Sequence, residues 1–374
     1  MEKVCVFCGR YPERKTKEHV IPRWLIRLTG DPKRLAFWGP DPKKIEEGFV
    51  PRMFAFDQLT THACAECNRR FQVLEDQAKT VVETMLRGGV VSGHDVSVLL
   101  DWFDKVRVGV WLAWRTLNRN MWNIRPRFRV AQRIGMNDRM VGIYRAKYAR
   151  EGLTVLGANL PSFGIMPSCF SMLINDLYFT NISDLFLFAR RIGFPHAAEW
   201  YSRAEGDGVF CEVVRGRERK MLPLLKGRLR LRGAELYQPM YGAGLCKAEA
   251  REIYSTDYVR GHSMDPERGV GKVFREKGNA LHEIPVEASM EWAPESQCER
   301  EEINAGIVLQ TIEWQMELLK RGPGYDPALP DEDRKYWERF KEMCKKFGRV
   351  LVSSYEKQFY DAKKSGKSGA GAML

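Results

Sequence analysis

The chain has 374 residues, so we expect two or more structural units rather than a single core. Hydrophobic residues make up 44% of the sequence and charged residues 29%, a composition that argues against a wholly disordered protein. The 60 Lys and Arg residues outnumber the 48 Asp and Glu residues, which gives a formal net charge of +12. This excess favours a polyanionic partner, such as nucleic acid or an anionic membrane.

The sequence predicts neither a signal peptide nor a membrane-spanning helix. The opening residues, MEKVCVFCGR, lack the apolar core of a signal peptide. The longest stretch without a charge, 152–175, contains prolines, glycines and asparagine, which argue against a spanning helix. We therefore expect a soluble, cytoplasmic protein without a membrane partner.

Two long helices are predicted in the first third of the chain. The spacing of apolar residues indicates one helix over about 64–86, ended by Gly88 and Gly89. A second helix is indicated over about 96–120, where apolar residues cover a wide face. The residues before the first helix are rich in Gly-Pro and Asp-Pro signals, which indicate loops.

From about 125 to 290 the pattern changes to short apolar segments bounded by turn residues, which is typical of strands. The candidate strands are 153–156, 171–174, 185–188, 209–214 and the alternating Arg-Leu segment 228–232. Helical spacing returns over about 300–319, and a last helix is predicted over 331–346. The tail 363–374, rich in Gly, Ser and Lys, is predicted to be disordered.

Four of the nine cysteines form two Cys-x-x-Cys pairs, Cys5 with Cys8 and Cys64 with Cys67. The odd total argues against a disulfide framework, and we interpret the other five as ordinary buried thiols. Zinc takes four thiolate or imidazole ligands in a tetrahedron, and each pair offers two from one tight turn. Gly9 follows the first pair, where a turn with positive φ would need glycine. The pairs predict a Zn2+ site, and four cysteines leave no open position, so this zinc would be structural.

An acidic residue joined to a histidine lies between the two pairs, in the segment KEHVIP at 17–22. The second pair continues as CNRRF at 67–71, with a Leu-Glu dipeptide following at 74–75. At these residues the sequence resembles the HNH endonuclease family, whose core is a two-stranded hairpin and a helix around one catalytic metal ion. The resemblance covers about residues 5–76. It implies an α+β fold that begins with a zinc-stapled ββα-metal HNH module.

The resemblance implies roles for three side chains. His19 would be the general base that takes a proton from the attacking water, since an imidazole is largely neutral near neutral pH. Glu18 would point the other way from a strand and, together with Asn68, would ligate a catalytic divalent ion, Mg2+ or Mn2+. Two protein ligands would leave room on that ion for waters and for a phosphate oxygen.

Glu75 lies seven positions after Asn68, on the same face of the predicted helix. It could belong to the outer coordination sphere of the catalytic ion. The interpretation we prefer is that Glu75 pairs with Arg70 or Arg23 on the surface.

The sequence departs from the family at the residue that orients the histidine. Many members have an asparagine a few residues before the second cysteine pair, and the stretch 57–63 contains none. A backbone carbonyl, Thr60 or His62 could orient His19 instead. The alternative is that the site is inactive.

Two basic clusters could bind nucleic acid. Residues 101–150 contain 12 Lys or Arg against three acidic residues, and a second cluster spans 215–232. Such clusters suit contact with phosphates that does not depend on base sequence, although a solvated basic face would look the same. The candidate nucleic-acid contacts are Arg69, Arg70, Arg125, Arg127, Arg129 and Arg133.

We therefore predict an HNH nuclease module over 1–90, an α+β accessory region over 91–362 and the disordered tail. The accessory region would position substrate or sense a partner or signal. The predicted function is metal-dependent hydrolysis of DNA phosphodiester bonds, in a phage, mobile element or defence system. One alternative is a zinc-containing nucleic-acid-binding protein whose HNH core no longer cuts. Another is a nuclease subunit that acts only with a protein partner or with other copies of the chain.

Overall fold

A computed structural model describes residues 4–12, 14–40, 51–117, 126, 128–202, 209–217, 231, 233–241, 256–278, 280–294, 297–321 and 331–370. Helices and strands are mixed along these ranges, which confirms the predicted α+β class as a mixture of the two kinds of element. Among the described helices, none combines the length and the apolar character needed to cross a bilayer.

Among the described residues up to position 86, the structure has two strand pairs and two α-helices. Their bounds are β1 Lys15–His19, α1 Arg23–Leu28, β2 Leu35–Pro40, β3 Pro51–Ala55, β4 Thr60–Cys64 and α2 Ala65–Leu86. Strand β1 pairs antiparallel with β4, and β2 pairs antiparallel with β3. Helix α2 begins at the residue after β4, and the predicted helix at about 64–86 is confirmed.

The later elements are a third long helix, a set of mostly short strands and two long helices near the end of the described chain. Their bounds are α3 Gly93–Leu117, β5 Asp138–Ala146, β6 Leu153–Leu156, α4 Pro161–Ile165, β7 Cys169–Ile174, β8 Leu177–Asp184, β9 His196–Ser202, β10 Val209–Val214, β11 Ala234–Gln238, α5 Asp257–Gly261, β12 Ser263–Asp265, β13 Val270–Gly271, β14 Phe274–Lys277, β15 Ala280–Glu283, β16 Gln297–Cys298, α6 Arg300–Arg321 and α7 Asp331–Ala370.

An eight-stranded sheet organises this larger part. Its order is β15-β14-β11-β5-β8-β7-β6, with antiparallel neighbours, and β16 pairs with β5 in parallel. On one face, Val141 and Ile143 of β5 belong to the hydrophobic cluster that also includes α3 and the first 86 residues. On the other face, Met140 and Tyr144 belong to clusters that include residues of α6, against which α7 packs. The sheet therefore has the described part of the first 86 residues and α3 on one side and α6 and α7 on the other.

The strand predictions were largely confirmed, with one error. Strands β6 and β10 coincide with the predicted 153–156 and 209–214, and β7 includes 171–174. The prediction for 185–188 is wrong, because β8 ends at Asp184 and Phe186 adopts a left-handed φ of 47°. The predicted strand at 228–232 lies outside the described residues, apart from Leu231.

The last helix is longer than the sequence predicts. Helix α7 continues beyond 346 to Ala370, into the segment where composition predicts disorder. Phe359, which lies beyond 346, is buried in a cluster with residues of α6, so tertiary packing stabilises this helix after its predicted end. Residues 371–374 lie outside the described residues.

Helix α3 contains charged side chains although residues 102–114 are all buried. The carboxylate of Asp104, which is 0% exposed, accepts hydrogen bonds from Nη2 of Arg107 at 2.6 Å and from Nη1 of Arg139 at 3.1 Å. It also accepts a bond of 3.1 Å from the backbone amide of Gly135. Since Arg139 lies in β5, this buried network fixes α3 on the sheet.

Replacing Arg107 by Met should destabilise the protein strongly. Nε of Arg107 donates to the carbonyl of Pro167 at 2.6 Å, and its guanidinium also neutralises Asp104. The substitution leaves a buried charge without one of its partners, so the free energy of unfolding should fall by about 3 kcal/mol. The control is Arg268→Met, because the side chain of Arg268 is 80% exposed. This substitution should change the free energy of unfolding by less than about 0.5 kcal/mol. Urea unfolding measures both, and equal losses would contradict the assigned role of Arg107.

A second prediction concerns pH and the buried Asp184. Burial raises the pKa of Asp184 from 3.8 to about 6, and Arg321 opposes this only in part. Within the part of the chain that the structure describes, its Oδ2 has no hydrogen-bond partner. The folded state holds the proton more tightly than the unfolded chain, so the free energy of unfolding should fall as pH rises from 3.8 to about 6.

Asp184→Asn removes this ionisation, so the variant should exceed the wild type in stability by about 2–3 kcal/mol at pH 7 and match it below pH ~4. Denaturant unfolding at the two pH values measures the difference. Asp361→Asn, at an exposed position of α7, is the control and should show no such pH dependence. A constant difference between Asp184→Asn and wild type at both pH values would refute the assignment.

Candidate metal centre and active site

The four cysteines predicted to bind zinc come together. Their Sγ atoms all lie within 4.8 Å of one another, and that of Cys64 is 3.7 Å from Cys5 and 4.0 Å from Cys8. Tetrahedral zinc with Zn–S bonds of about 2.3 Å requires sulfur atoms about 3.8 Å apart. The cluster is therefore compatible with a zinc site in both its size and its donor atoms.

The first cysteine pair lies in a tight turn closed by backbone hydrogen bonds. The amide of Gly9 donates to the carbonyl of Cys5, and the amide of Cys5 donates to the carbonyl of Arg10, both at 2.9 Å. Gly9 has a left-handed φ of 76°, as the sequence predicts for this turn. The amide of Val6 donates to the carbonyl of His62 in β4 at 2.8 Å, which places the first pair beside the second.

The second cysteine pair joins β4 to α2. Cys64 is the N-cap residue of α2 with extended backbone, and Cys67 lies in the first helical turn. The amide of Cys64 donates to Sγ of Cys5 at 3.3 Å. Such a donor stabilises negative charge on sulfur, which suits a thiolate that binds a metal ion.

His19 ends β1 and is partly buried, opposite Thr60 of β4. Among the nearby groups that raise the pKa of His19 are the carboxylate of Glu18 and both the carboxylate and the backbone of Asp57. Burial lowers the pKa of His19, and Arg23 lowers it further, which outweighs the opposite effect of nearby acidic groups. A backbone group is one of the orienting groups that the sequence left open, and the backbone of Asp57 lies near the ring.

Glu18 pairs with a residue that sequence reasoning missed. Its Oε1 accepts a hydrogen bond of 2.6 Å from Nζ of Lys105 in α3. The same Nζ contacts Oε1 of Glu75 in α2. Lys105 is 3% exposed, Glu18 12% and Glu75 18%, so the three charges form a largely buried cluster.

The interpretation of Glu75 as a surface partner of Arg70 or Arg23 is wrong. Helix α3 packs against α2 and buries the face that contains Glu75, where Lys105 is its partner. Arg70 is exposed and its guanidinium lies 5.7 Å from the ring centroid of Phe71. A sequence signal for Lys105 did exist, since Asp104, Lys105 and Arg107 are charged residues within an otherwise apolar helical run.

Asn68 follows Cys67 in the first turn of α2 and is partly exposed. Glu75 lies about two turns further along the same face. Strand β1 and helix α2 thus supply carboxylates, an amide and an imidazole from neighbouring parts of one ββα arrangement. These are oxygen and nitrogen donors, and the oxygen atoms suit a hard divalent ion.

The predicted nucleic-acid contacts are divided between two segments. Arg69 and Arg70 are exposed on α2. The segment that contains Arg129 and Arg133 packs on the first cysteine turn, where the amide of Val130 donates to the carbonyl of Val6 at 3.2 Å. Arg125 and Arg127 lie outside the described residues, as does most of the basic cluster at 215–232.

Arg129 and Arg133 are held differently within that segment. A Cβ atom placed on Gly9 would lie 3.2 Å from Cγ of Arg129, so this side chain lies against the first cysteine turn. The guanidinium of Arg133 lies over the ring of Phe128, 3.9 Å from its centroid. Arg129 is therefore next to the zinc-binding part of the molecule, whereas Arg133 also has a role in local packing.

A scan against protein-family models, a search of curated proteins and a search of solved structures each found no match.

Cys5→Ser and Cys64→Ser should each lose the bound zinc and destabilise the first 80 or so residues, because a hydroxyl is a poor substitute for a thiolate ligand. Elemental analysis should give one zinc per wild-type chain and close to none in the variants. Limited proteolysis should cut the variants in this region first. Cys298→Ser, at a partly exposed cysteine outside the cluster, is the matched control and should retain zinc. An unchanged zinc content in Cys5→Ser and Cys64→Ser would rule out the site.

Proposed function

We propose that the protein is a metal-dependent endonuclease of the HNH type that hydrolyses DNA phosphodiester bonds. The observation that supports this most directly is the convergence of Glu18 from β1 and Glu75 from α2 on one buried cation, with His19 next in the chain. In the described structure that cation is the ammonium of Lys105. A nuclease of this type needs a site that binds a cation and that is formed by a strand pair and a helix.

A divalent ion fits the donor atoms of this site. Glu18 and Asn68 are the residues proposed to hold it, as carboxylate and amide oxygens are ligands that Mg2+ and Mn2+ accept. When bound, such an ion stabilises negative charge on a phosphate and on the leaving oxygen. The four-cysteine site is proposed to hold Zn2+ and to stabilise the fold around this centre without a role in the chemistry.

His19 is proposed to be the general base. A water that attacks phosphorus must lose a proton, and a neutral imidazole has one ring nitrogen that can accept it. The burial that lowers the pKa of His19 favours the neutral form. The backbone of Asp57, near the ring, is proposed to supply the orientation that an asparagine supplies in many family members.

Three arginines near this centre, of which Arg69 and Arg70 are exposed and Arg129 is partly buried, are proposed to bind the DNA backbone. Arg69, Arg70 and Arg129 lie on or beside the elements that contain the cysteines and His19. Contacts of this kind do not read bases, so binding should weaken steeply with salt. The remaining part of the chain, with its sheet and α6 and α7, is proposed to position the substrate or to respond to a partner or signal.

One observation favours a second candidate, a zinc-containing nucleic-acid-binding protein that does not cut. Lys105 already neutralises Glu18, the proposed metal ligand. If the ammonium replaces the ion permanently, the chain would bind DNA without hydrolysing it. Salt-sensitive DNA binding without metal-dependent nicking, also in the presence of any protein partner, would identify this function.

Three substitutions separate the base from the metal ligands. Glu18→Ala and Asn68→Ala should lower the rate at which supercoiled plasmid is nicked, and high Mg2+ or Mn2+ should restore part of it. His19→Ala should lower the rate by about 10²–10⁴-fold without rescue by metal, because the base is lost. All three variants should retain zinc, since none alters the four-cysteine set.

The matched control is His62→Ala, which removes an exposed histidine from the paired strand β4 and should leave the nicking rate unchanged. Equal nicking by wild type and His19→Ala would show that His19 is not the base. Rescue of His19→Ala by metal to the same degree as Glu18→Ala would contradict the division of roles.

A further inference from the structure

Lys105 occupies the position between the two carboxylates of the candidate active site. Its Nζ lies 2.6 Å from Oε1 of Glu18 and also contacts Oε1 of Glu75. The carboxylates belong to β1 and α2, whereas Lys105 belongs to α3, the helix that is fixed on the sheet through Asp104. The ammonium therefore reaches the site from outside the ββα arrangement.

The ammonium is held as a charged group. Nζ of Lys105 contacts a carboxylate oxygen of Glu18 and one of Glu75 inside a largely buried cluster, and each contact stabilises the positive charge. The Nζ atom also lies 5.6 Å from the ring centroid of Phe7, whose face attracts a cation. Two carboxylates and one ammonium have a net charge of −1, so the cluster still favours an additional or a more highly charged cation.

An ammonium and a divalent ion exclude each other at this position. Mg2+ binds oxygen at about 2.0–2.1 Å, so an ion on the carboxylate of Glu18 would lie in the space next to Nζ of Lys105. Two cations at such a short separation in a buried site repel each other strongly. The lysine side chain has a flexible four-carbon stem, however, and can withdraw its ammonium while α3 stays in place.

We propose that Lys105 is a displaceable occupant of the divalent-metal site, and that Glu75 joins Glu18 as a ligand when the ammonium leaves. The inference rests on the proposed function for the identity of the site. It assigns to Lys105 the control of metal affinity, and it makes Glu75 a metal ligand rather than only an ion-pair partner. The native chain then binds a divalent ion more weakly than the same carboxylates would without the lysine.

The test measures Mn2+ binding to the zinc-loaded full chain in the absence of DNA, by electron paramagnetic resonance of free Mn2+. Lys105→Met removes the ammonium and keeps much of the side-chain volume, so it should bind Mn2+ at least ~10-fold more tightly than wild type. Addition of Mn2+ should also raise its Tm far more than that of the wild type. Lys79→Met, at a partly exposed lysine of α2 that pairs with Glu83, is the matched control and should behave as wild type.

A second variant shows whether the gain comes from the carboxylate pair. Lys105→Met combined with Glu75→Gln should lose the added Mn2+ affinity, because one ligand is removed. Unchanged affinity in Lys105→Met, or a gain that survives Glu75→Gln, would overturn the proposal. If Lys105→Met is unfolded without metal, Mn2+ should restore the fold, and failure to restore it would also overturn the proposal.

These outcomes are independent of DNA cleavage. A gain of Mn2+ affinity in Lys105→Met without any nicking by wild type or variant supports the metal site and rejects the nuclease. Nicking that depends on His19 with no change of affinity in Lys105→Met supports the nuclease and rejects the role of Lys105.

Discussion

A helix that is buried along most of its length needs a partner for every charge that it contains, since an unpaired buried ion costs several kcal/mol. Helix α3 satisfies this requirement on two sides. Asp104 binds Arg139 of the sheet, and the next residue, Lys105, binds Glu18 and Glu75 of the part that contains the four clustered cysteines. Consecutive helical residues point about 100° apart, so one helix can satisfy both sets of charges. The position of the candidate active site relative to the sheet follows from this pairing.

The part of the chain that contains the four clustered cysteines is thus not held together by those cysteines alone. Phe7, within the first cysteine turn, stacks on Phe71 of α2 with ring centroids 4.3 Å apart. The same ring faces the ammonium of Lys105. Both aromatic residues belong to the hydrophobic cluster that extends to β5 and α3. Besides the metal expected at the four cysteines, this strand-and-helix arrangement therefore gains stability from aromatic stacking and from packing against the larger sheet.

The sequence predicted those features that depend on local spacing. Helix α2 and the turn at Gly9 each follow from a pattern within a few residues. The meeting of the two cysteine pairs follows from the coordination number of zinc, which requires four ligands. The contact between Glu75 and Lys105 joins residues that are 30 apart and depends on the packing of α3 against α2, which periodicity does not specify. The choice of a surface arginine as the partner of Glu75 failed for this reason.

The ends of some helices and strands also depend on backbone conformation and tertiary contacts, which the pattern of apolar residues does not predict. The apolar run at 185–188 looks like a strand, yet the left-handed backbone of Phe186 ends the strand before it. The continuation of α7 to Ala370 requires a neighbouring helix on which Phe359 can be buried. For the candidate site, the resemblance to a family singled out Glu18, His19 and Asn68, but the position of Asp57 near the imidazole has no sequence signature.

The backbone bonds between the first cysteine turn and the segment at 130–131 have a consequence for synthesis of the chain. Val6 and Phe7 accept hydrogen bonds from the amides of Val130 and Ala131, so the turn at the beginning of the chain is completed by residues made more than a hundred positions later. A ribosome releases the chain from its N-terminus, and local contacts form first. The four cysteines can meet once Cys67 has emerged, but the turn that contains Cys5 and Cys8 acquires its full set of neighbours only after α3 and the segment behind it have left the exit tunnel.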